Sequence, residues 1–204
     1  MDEIKVNNRA LLRGVLGAPP RFSHESRDER FFQFPLEVCR LSGATDVINI
    51  VVRESLIASL PLSEGDKLCV SGDLRSFNNK SGIGSKLVIT VFARELSIES
   101  GEDENSVELT GTICKPPTLR LTPMGREICD LMLAVNRRYG RSDYLPCIAW
   151  GIRAREASLW EVGTVVSLTG RIQSRNYTKL IDGENVEKTA YEVSVIDIEK
   201  ADDT

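Results

Sequence analysis

The sequence predicts an all-β fold arranged as two tandem domains, on three observations. Apolar and polar residues alternate with period two, one block of sequence recurs 97 residues downstream, and each copy holds a single short stretch of helical character. Alternation of this kind marks half-buried strands. It is clear in Leu131, Leu133 and Val135 against Met132, Ala134 and Asn136, and again in Val166, Leu168 and Ile172 against Ser167, Thr169 and Arg171.

The repeat starts early. "RGVLGAPP" from Arg13 returns as "TGTICKPP" from Thr110, aligning Gly14 with Gly111 and Pro19-Pro20 with Pro116-Pro117. The next strand, "FPLEVCR" (34–40), returns as "LMLAVNR" (131–137), and Gly43 and Asp46 match Gly140 and Asp143. In this part of the first copy Phe32 and Phe34, with Phe92 further on, are expected in the core by their alternation. "RESLIASLP" and "IRAREASLW" are the helical stretches, each lying between strands. One inserted residue later, "EGDKLCVSGDLRS" (64–76) matches "VGTVVSLTGRIQS" (162–174). Glycines matched at such constant spacing mark two copies of one domain. The acidic, polar "ESGEDENS" between them reads as a linker. The domains are therefore 1–99 and 106–204, joined by 100–105.

Five strands, one helix, bend glycines and polar hairpins in each copy suit a small five-stranded Greek-key barrel, the OB-fold. A sandwich would want about seven strands and no helix.

Composition removes several functions. Charged residues at 27% and hydrophobic residues at 41% describe an ordinary globular chain. No apolar run approaches the roughly 20 residues of a membrane span, and no secretory signal opens the chain, so a cytoplasmic location is expected. Five cysteines without a CxxC pair suggest buried, reduced thiols rather than a zinc or disulfide framework. The single histidine, His24, lies in a polar stretch with nothing to make a catalytic pair, and the HExxH, Walker A and GxGxxG signatures are missing. No enzymatic activity, metal, cofactor or small-molecule substrate is expected. The net charge of −4 arises in Glu102, Asp103 and Glu104 and in the terminal Asp202 and Asp203, which leaves each copy near neutral and free to carry a local basic stripe.

The stretch "NRRYGRSDYLPCIAWG" (136–151) interleaves aromatics with arginines. Tyr144, Ile148 and Trp150 share one face of a strand, while Leu145, Cys147 and Ala149 share the other. On the following strand Arg171, Gln173, Arg175 and Tyr177 lie opposite Leu168 and Ile172. An outward face of rings and guanidiniums is the composition of a single-strand nucleic-acid platform, where bases stack and phosphates meet Arg. Taken one at a time, the tyrosines suit hairpin packing as well, Trp150 suits a core, and Arg137, Arg138 and Arg141 suit solvated loop charges. Their common phase favours the platform.

These residues also carry a family pattern. "LTGTICKPPTLRLTPMGREICDLMLAVNRRYGRSDYLPCIAWG" followed by "VGTVVSLTGRIQSRNYTK" resembles the bacterial single-stranded DNA-binding protein family. The matching elements are Gly111, Pro117, Arg120 and Gly125, the strand Leu133 to Arg137, Trp150-Gly151, and Gly170-Arg171 through Tyr177. The first copy resembles the family more weakly; "NRALLRGVLGAPPRFS" and "KSGIGSKLVITVFARELSI" resemble primosomal replication protein N of the same OB-fold group. The resemblance implies sequence-independent binding of single-stranded DNA in replication, recombination or repair. It implies stacking on Tyr139, Tyr144, Trp150 and Tyr177, and a homodimer bringing four OB-folds together. The first copy has Ser42, Val47, Arg53 and Asn79 at the four stacking positions, so a structural or assembly role is expected of it. Phe77 is one possible substitute ring there, with Arg75, Lys80 and Lys86 as phosphate contacts. A primosome-like adaptor working through protein contacts and an RNA-binding OB protein are the alternatives. The family's acidic, Phe-tipped C-terminal peptide has no counterpart in "EKADDT".

Overall fold

The computed structural model describes residues 7–79, 87–137, 140–181 and 184–201. The described residues are mostly strand. The first copy runs β1 (Asn8–Leu16), β2 (Arg21–Ser26), β3 (Glu29–Cys39), β4 (Thr45–Arg53), α1 (Glu54–Ile57), β5 (Lys67–Asn78) and β6 (Leu87–Ile98). The second runs β7 (Glu104–Ile113), β8 (Thr118–Leu121), β9 (Glu127–Asn136), β10 (Ser142–Trp150), α2 (Gly151–Ser158), β11 (Val165–Ile181) and β12 (Glu184–Lys200).

Strand order shows the barrel. In the first copy it is β2-β3-β4-β6-β5-β1, and β1 pairs back onto β3 through Val15 and Leu16. In the second, β7-β11-β12-β10-β9-β8 closes in the same way through Thr112 and Ile113 of β7 on β9. Each ring has five strands with one parallel pair, β4 with β6 and β10 with β12. The chain is two tandem OB-folds. The short β2 and β8 lie outside the ring on β3 and β9, beyond the five strands expected of each copy; both are largely exposed and carry little apolar signal.

Cores form on the inward parity of each strand. Leu12, Leu16, Phe34, Leu36, Ile48, Ile50, Leu68 and Leu74 are fully buried in the first copy, and Ile113, Leu133, Leu145 and Ile172 in the second. Two aromatic expectations need correcting. Phe34 is buried, but Phe32 and Phe92 are only half-buried, and Phe31, on the opposite parity of β3, is buried where the rings of His24 and Phe92 lie against it. β3 keeps an unbroken register on β4; the irregularity lies on β2, between Phe22 and His24, and sets His24 opposite Phe31. His24 stacks on Phe31 with ring centroids 4.8 Å apart.

The helices differ in length for a simple reason. Glycine-led α2 buries Ala154 and Ala157, whereas α1 buries none of its residues and stops after one turn. Tertiary packing, rather than propensity, extends a short helix.

The acidic connection is anchored. Asp103 accepts hydrogen bonds from the Cys39 backbone N–H (2.5 Å) and the Lys67 ammonium, and Arg13 donates to the Glu102 carbonyl (3.4 Å) and the Glu104 carboxylate (3.2 Å). Burial acts to raise the Asp103 carboxyl, but these donors hold it below its ordinary value. Residues 104–106 already belong to β7.

The chain divides into two compact units that do not follow the repeat. Arg9–Arg75 and Ile89–Ser106 form one; the other runs from Val107 and takes in the end of β5 from Ser76. The expectation of five buried thiols holds at Cys129 and Cys147 alone: Cys69 and Cys114 are half-buried and Cys39 is exposed. Cys39 is the last residue of β3, on its outward parity. No helix among the described residues is long and apolar enough to cross a membrane.

Matched glycines sit where strands approach most closely. A Cβ on Gly72 would overlap the Phe92 carbonyl, and one on Gly170 would lie 2.6 Å from the Ser194 carbonyl oxygen. Gly72→Ala and Gly170→Ala are each expected to cost about 1–3 kcal/mol by overpacking. Urea denaturation of the two variants beside wild type measures it.

Candidate nucleic-acid interface

The site is built on β9, β10, β11 and β12. Tyr144 lies opposite Ala134, Pro146 opposite Met132, Ile148 opposite Asp130 and Trp150 opposite Ile128. On the other side of β10, Ile148 is level with Ser194 of β12, and across β12 lie Arg171 (opposite Ser194), Gln173 (Glu192), Arg175 (Ala190) and Tyr177 (Lys188). Laterally paired residues project to one face of a sheet. Tyr144, Trp150, Arg171, Arg175 and Tyr177 therefore share a face, and on the opposite one Asp143, Leu145, Cys147 and Ala149 are all buried.

Not every member of the outer parity is open. Tyr144 is 52% exposed, whereas Ile148 is only 6% exposed, against its expected outward position. β10 lies between β9 and β12, and side chains on both neighbours cover its middle. Trp150 and Tyr177 are half-buried. The Trp150 indole N–H donates to the Ser194 hydroxyl at 3.3 Å, which orients the ring without enclosing it. Gly151 follows at φ +57°, a left-handed conformation that favours glycine and lets α2 begin directly after the tryptophan.

The cations have distinct situations. Arg175 is exposed, with its guanidinium 5.7 Å from the Tyr177 ring centroid. Arg171 is half-buried and Arg141 exposed. Arg137 is engaged: its Nε donates to Asp143 Oδ2 at 2.7 Å and its Nη2 to Asp143 Oδ1. Asp143 is fully buried. The same pair recurs in the first copy, where Arg40 donates to the fully buried Asp46 at 2.6 and 2.5 Å. Arg138 and Tyr139 lie outside the described residues, as do Lys80 and Lys86.

Three polar residues of this face carried no sequence signal beyond alternation. Ser194 and Glu192 are each 8% exposed, and Asp130 is paired with Arg120, whose Nη2 donates to Oδ1 at 3.0 Å. Glu192 also adds to burial in pushing up the thiol of Cys147, which stays a protonated interior side chain. The face is thus mixed in charge, with its basic part on β11.

Similarity to known proteins fits this geometry. The single-strand binding protein family matches residues 104–200. Single-stranded DNA-binding protein B of Bacillus subtilis is 36% identical over 80 residues, which is 36% of this chain and 71% of that protein. The chain belongs to the single-strand binding protein family. Single-stranded DNA-binding protein 3 of Streptococcus agalactiae is 35% identical over 80 residues, 36% of this chain and 58% of that relative. The chain spans roughly half the length of several such relatives, 49% for a second Streptococcus agalactiae protein. The crystal structure of the single-stranded DNA-binding protein from Thermus aquaticus superposes with a TM-score of 0.75 at 22% identity, covering 95% of this chain and 92% of that one. This likeness extends the shared fold across both copies.

Removing one partner of a buried ion pair leaves the other charge desolvated. Asp143→Ala and Asp46→Ala are each expected to lose about 3 kcal/mol of stability. The double variant Arg137→Met with Asp143→Leu should recover only part of that loss in denaturant unfolding, because it also removes the partners of the Ser76 backbone N–H and carbonyl.

Proposed function

We propose that the chain binds single-stranded DNA on the outer face of its second OB-fold, with little sequence readout and no chemistry. One observation carries this reading: exposed or half-exposed rings and guanidiniums fall in phase on adjoining strands of one face. Bases stack on Tyr144, Trp150 and Tyr177, with Tyr139 as the fourth ring. Phosphates meet Arg171, Arg175, Arg141 and Arg138. Arg137 contributes by holding the end of the hairpin, since Asp143 engages its guanidinium. The relatives' names support the ligand, and the family supports a place in replication, recombination or repair.

The first copy, 1–99, serves as a structural partner in this reading. Arg75, a possible phosphate contact there, donates to Asp73 at 2.5 Å, and Asp73 stands where the second copy has Arg171. Two chains joined as a homodimer in the cytoplasm would supply four OB-folds.

Tyr144→Ala is expected to weaken binding of an oligo-dT by about 1–3 kcal/mol, the range for one base–aromatic stack. Log affinity should fall with log salt at roughly 0.7 per phosphate contacted, and Arg175→Ala should make the slope shallower. Arg155→Ala, which removes a pair with Glu127 on α2 and β9, should leave the slope unchanged. Fluorescence anisotropy across a salt series measures all three variants, and equal slopes for wild type and Arg175→Ala would place the strand elsewhere.

A further inference from the structure

The end of β5 is tied into the hairpin that carries Tyr144. Ser76 donates its backbone N–H to Asp143 Oδ1 at 2.6 Å, its hydroxyl accepts the Tyr144 N–H at 2.7 Å, and its carbonyl accepts Arg137 Nη2 at 3.2 Å. Ser76 is only 8% exposed, and all of its backbone polarity is spent on these residues. The next residue is different. Phe77 is 53% exposed, comparable to Tyr144 at 52%.

That exposure has a position as well as a size. Phe77 shares parity with Asp73 and Arg75 on β5, opposite the buried Leu74 and Ser76. By the repeat it matches Arg175, the cation beside Tyr177. The Ser76 hydroxyl bond limits the separation of the Phe77 and Tyr144 Cα atoms to about 10 Å, given standard bond lengths and the 3.8 Å step between neighbouring residues. A strand at the 3.4 Å rise of a duplex covers that in about three nucleotides. An open phenyl ring has no polar group to satisfy, yet a base can stack on it as on a tyrosine.

We propose that Phe77 is a further base-stacking residue of the interface, with Ser76 as the positioning residue that ties it to Tyr144. The inference rests on reading the Tyr144 face as a single-stranded DNA site. It extends that site onto β5, a strand of the first copy, at a residue outside the family's stacking positions.

Photo-crosslinking of the full chain to oligo-dT carrying 5-iodouracil tests it. Trypsin releases Phe77 in residues 76–80, where it is the sole aromatic, and Tyr144 with Trp150 in residues 142–153. Conjugates on both peptides are expected, with loss of the 76–80 conjugate and about tenfold weaker binding in Phe77→Ala. Conjugates on 142–153 alone, with unchanged affinity in Phe77→Ala, would overturn the inference and leave the DNA-binding reading standing. No conjugate on either peptide, with no binding by wild type, would overturn both. Sedimentation decides the remaining alternative: dissociation of a dimer by Phe77→Ala, without any 76–80 conjugate in wild type, would make Phe77 a subunit contact.

Discussion

A fully buried aspartate held by an arginine six residues earlier is the constraint from which the geometry of both copies follows. Asp46 and Asp143 have no exposed surface, and an isolated carboxylate in such a place would be prohibitively desolvated. Arg40 and Arg137 approach them side-on, with Nε and Nη2 each meeting one oxygen. The pair spans a hairpin closed in the same way in both copies, Arg40 N–H to the Ala44 carbonyl and Arg137 N–H to the Arg141 carbonyl. Pinning both ends of that hairpin fixes register, Val135 against Asp143 and Ala134 against Tyr144. Because side chains alternate with period two, a slip of one residue would send Tyr144 and Trp150 inward and Leu145 outward. The ion pair thus specifies which face is open.

On this common frame the two copies have diverged in what they display. Tyr144 corresponds to Val47, and Trp150 to Arg53. The level of β12 that supplies Ser194 to Trp150 corresponds to Phe92 on β6, since Val51 pairs with Phe92 as Ile148 does with Ser194. In the first copy the aromatic and its partner have exchanged strands: the Arg53 guanidinium sits 5.2 Å from the Phe92 ring centroid and also pairs with Glu29 at 3.1 Å. That arrangement satisfies itself. In the second copy Trp150 spends only its indole N–H on Ser194 and keeps ring surface available. The contrast fits the proposed binding surface on the second copy and a self-contained face on the first.

Much of this was legible in the residues because its signals are local. Period-two alternation, matched glycines and the short helical stretches place the strands, the helices and the repeat. The Arg–Asp spacing is visible too, once 34–40 is laid on 131–137. Burial was harder to read where it depends on neighbours distant in sequence. Ile148 has the parity of an outer residue but lies mid-sheet. Phe31 has the parity of an outer residue of β3 but is covered by His24 of β2 and lies beside Phe92 of β6. Acidic residues 100–105 look like a free linker, yet Lys67, Arg13 and the Cys39 backbone hold Asp103 and Glu104. Ser76 shows the limit most plainly, since its partners lie 61 to 68 residues away.

The central claim is that the Trp150 ring, oriented but not enclosed, stacks on a base. Tryptophan emission during titration with poly-dT tests it most directly in a Trp160→Phe background, where Trp150 is the only remaining tryptophan. The account predicts saturable quenching that reverses on adding salt. Tight binding by an independent assay, with Trp150 emission unchanged, would contradict it.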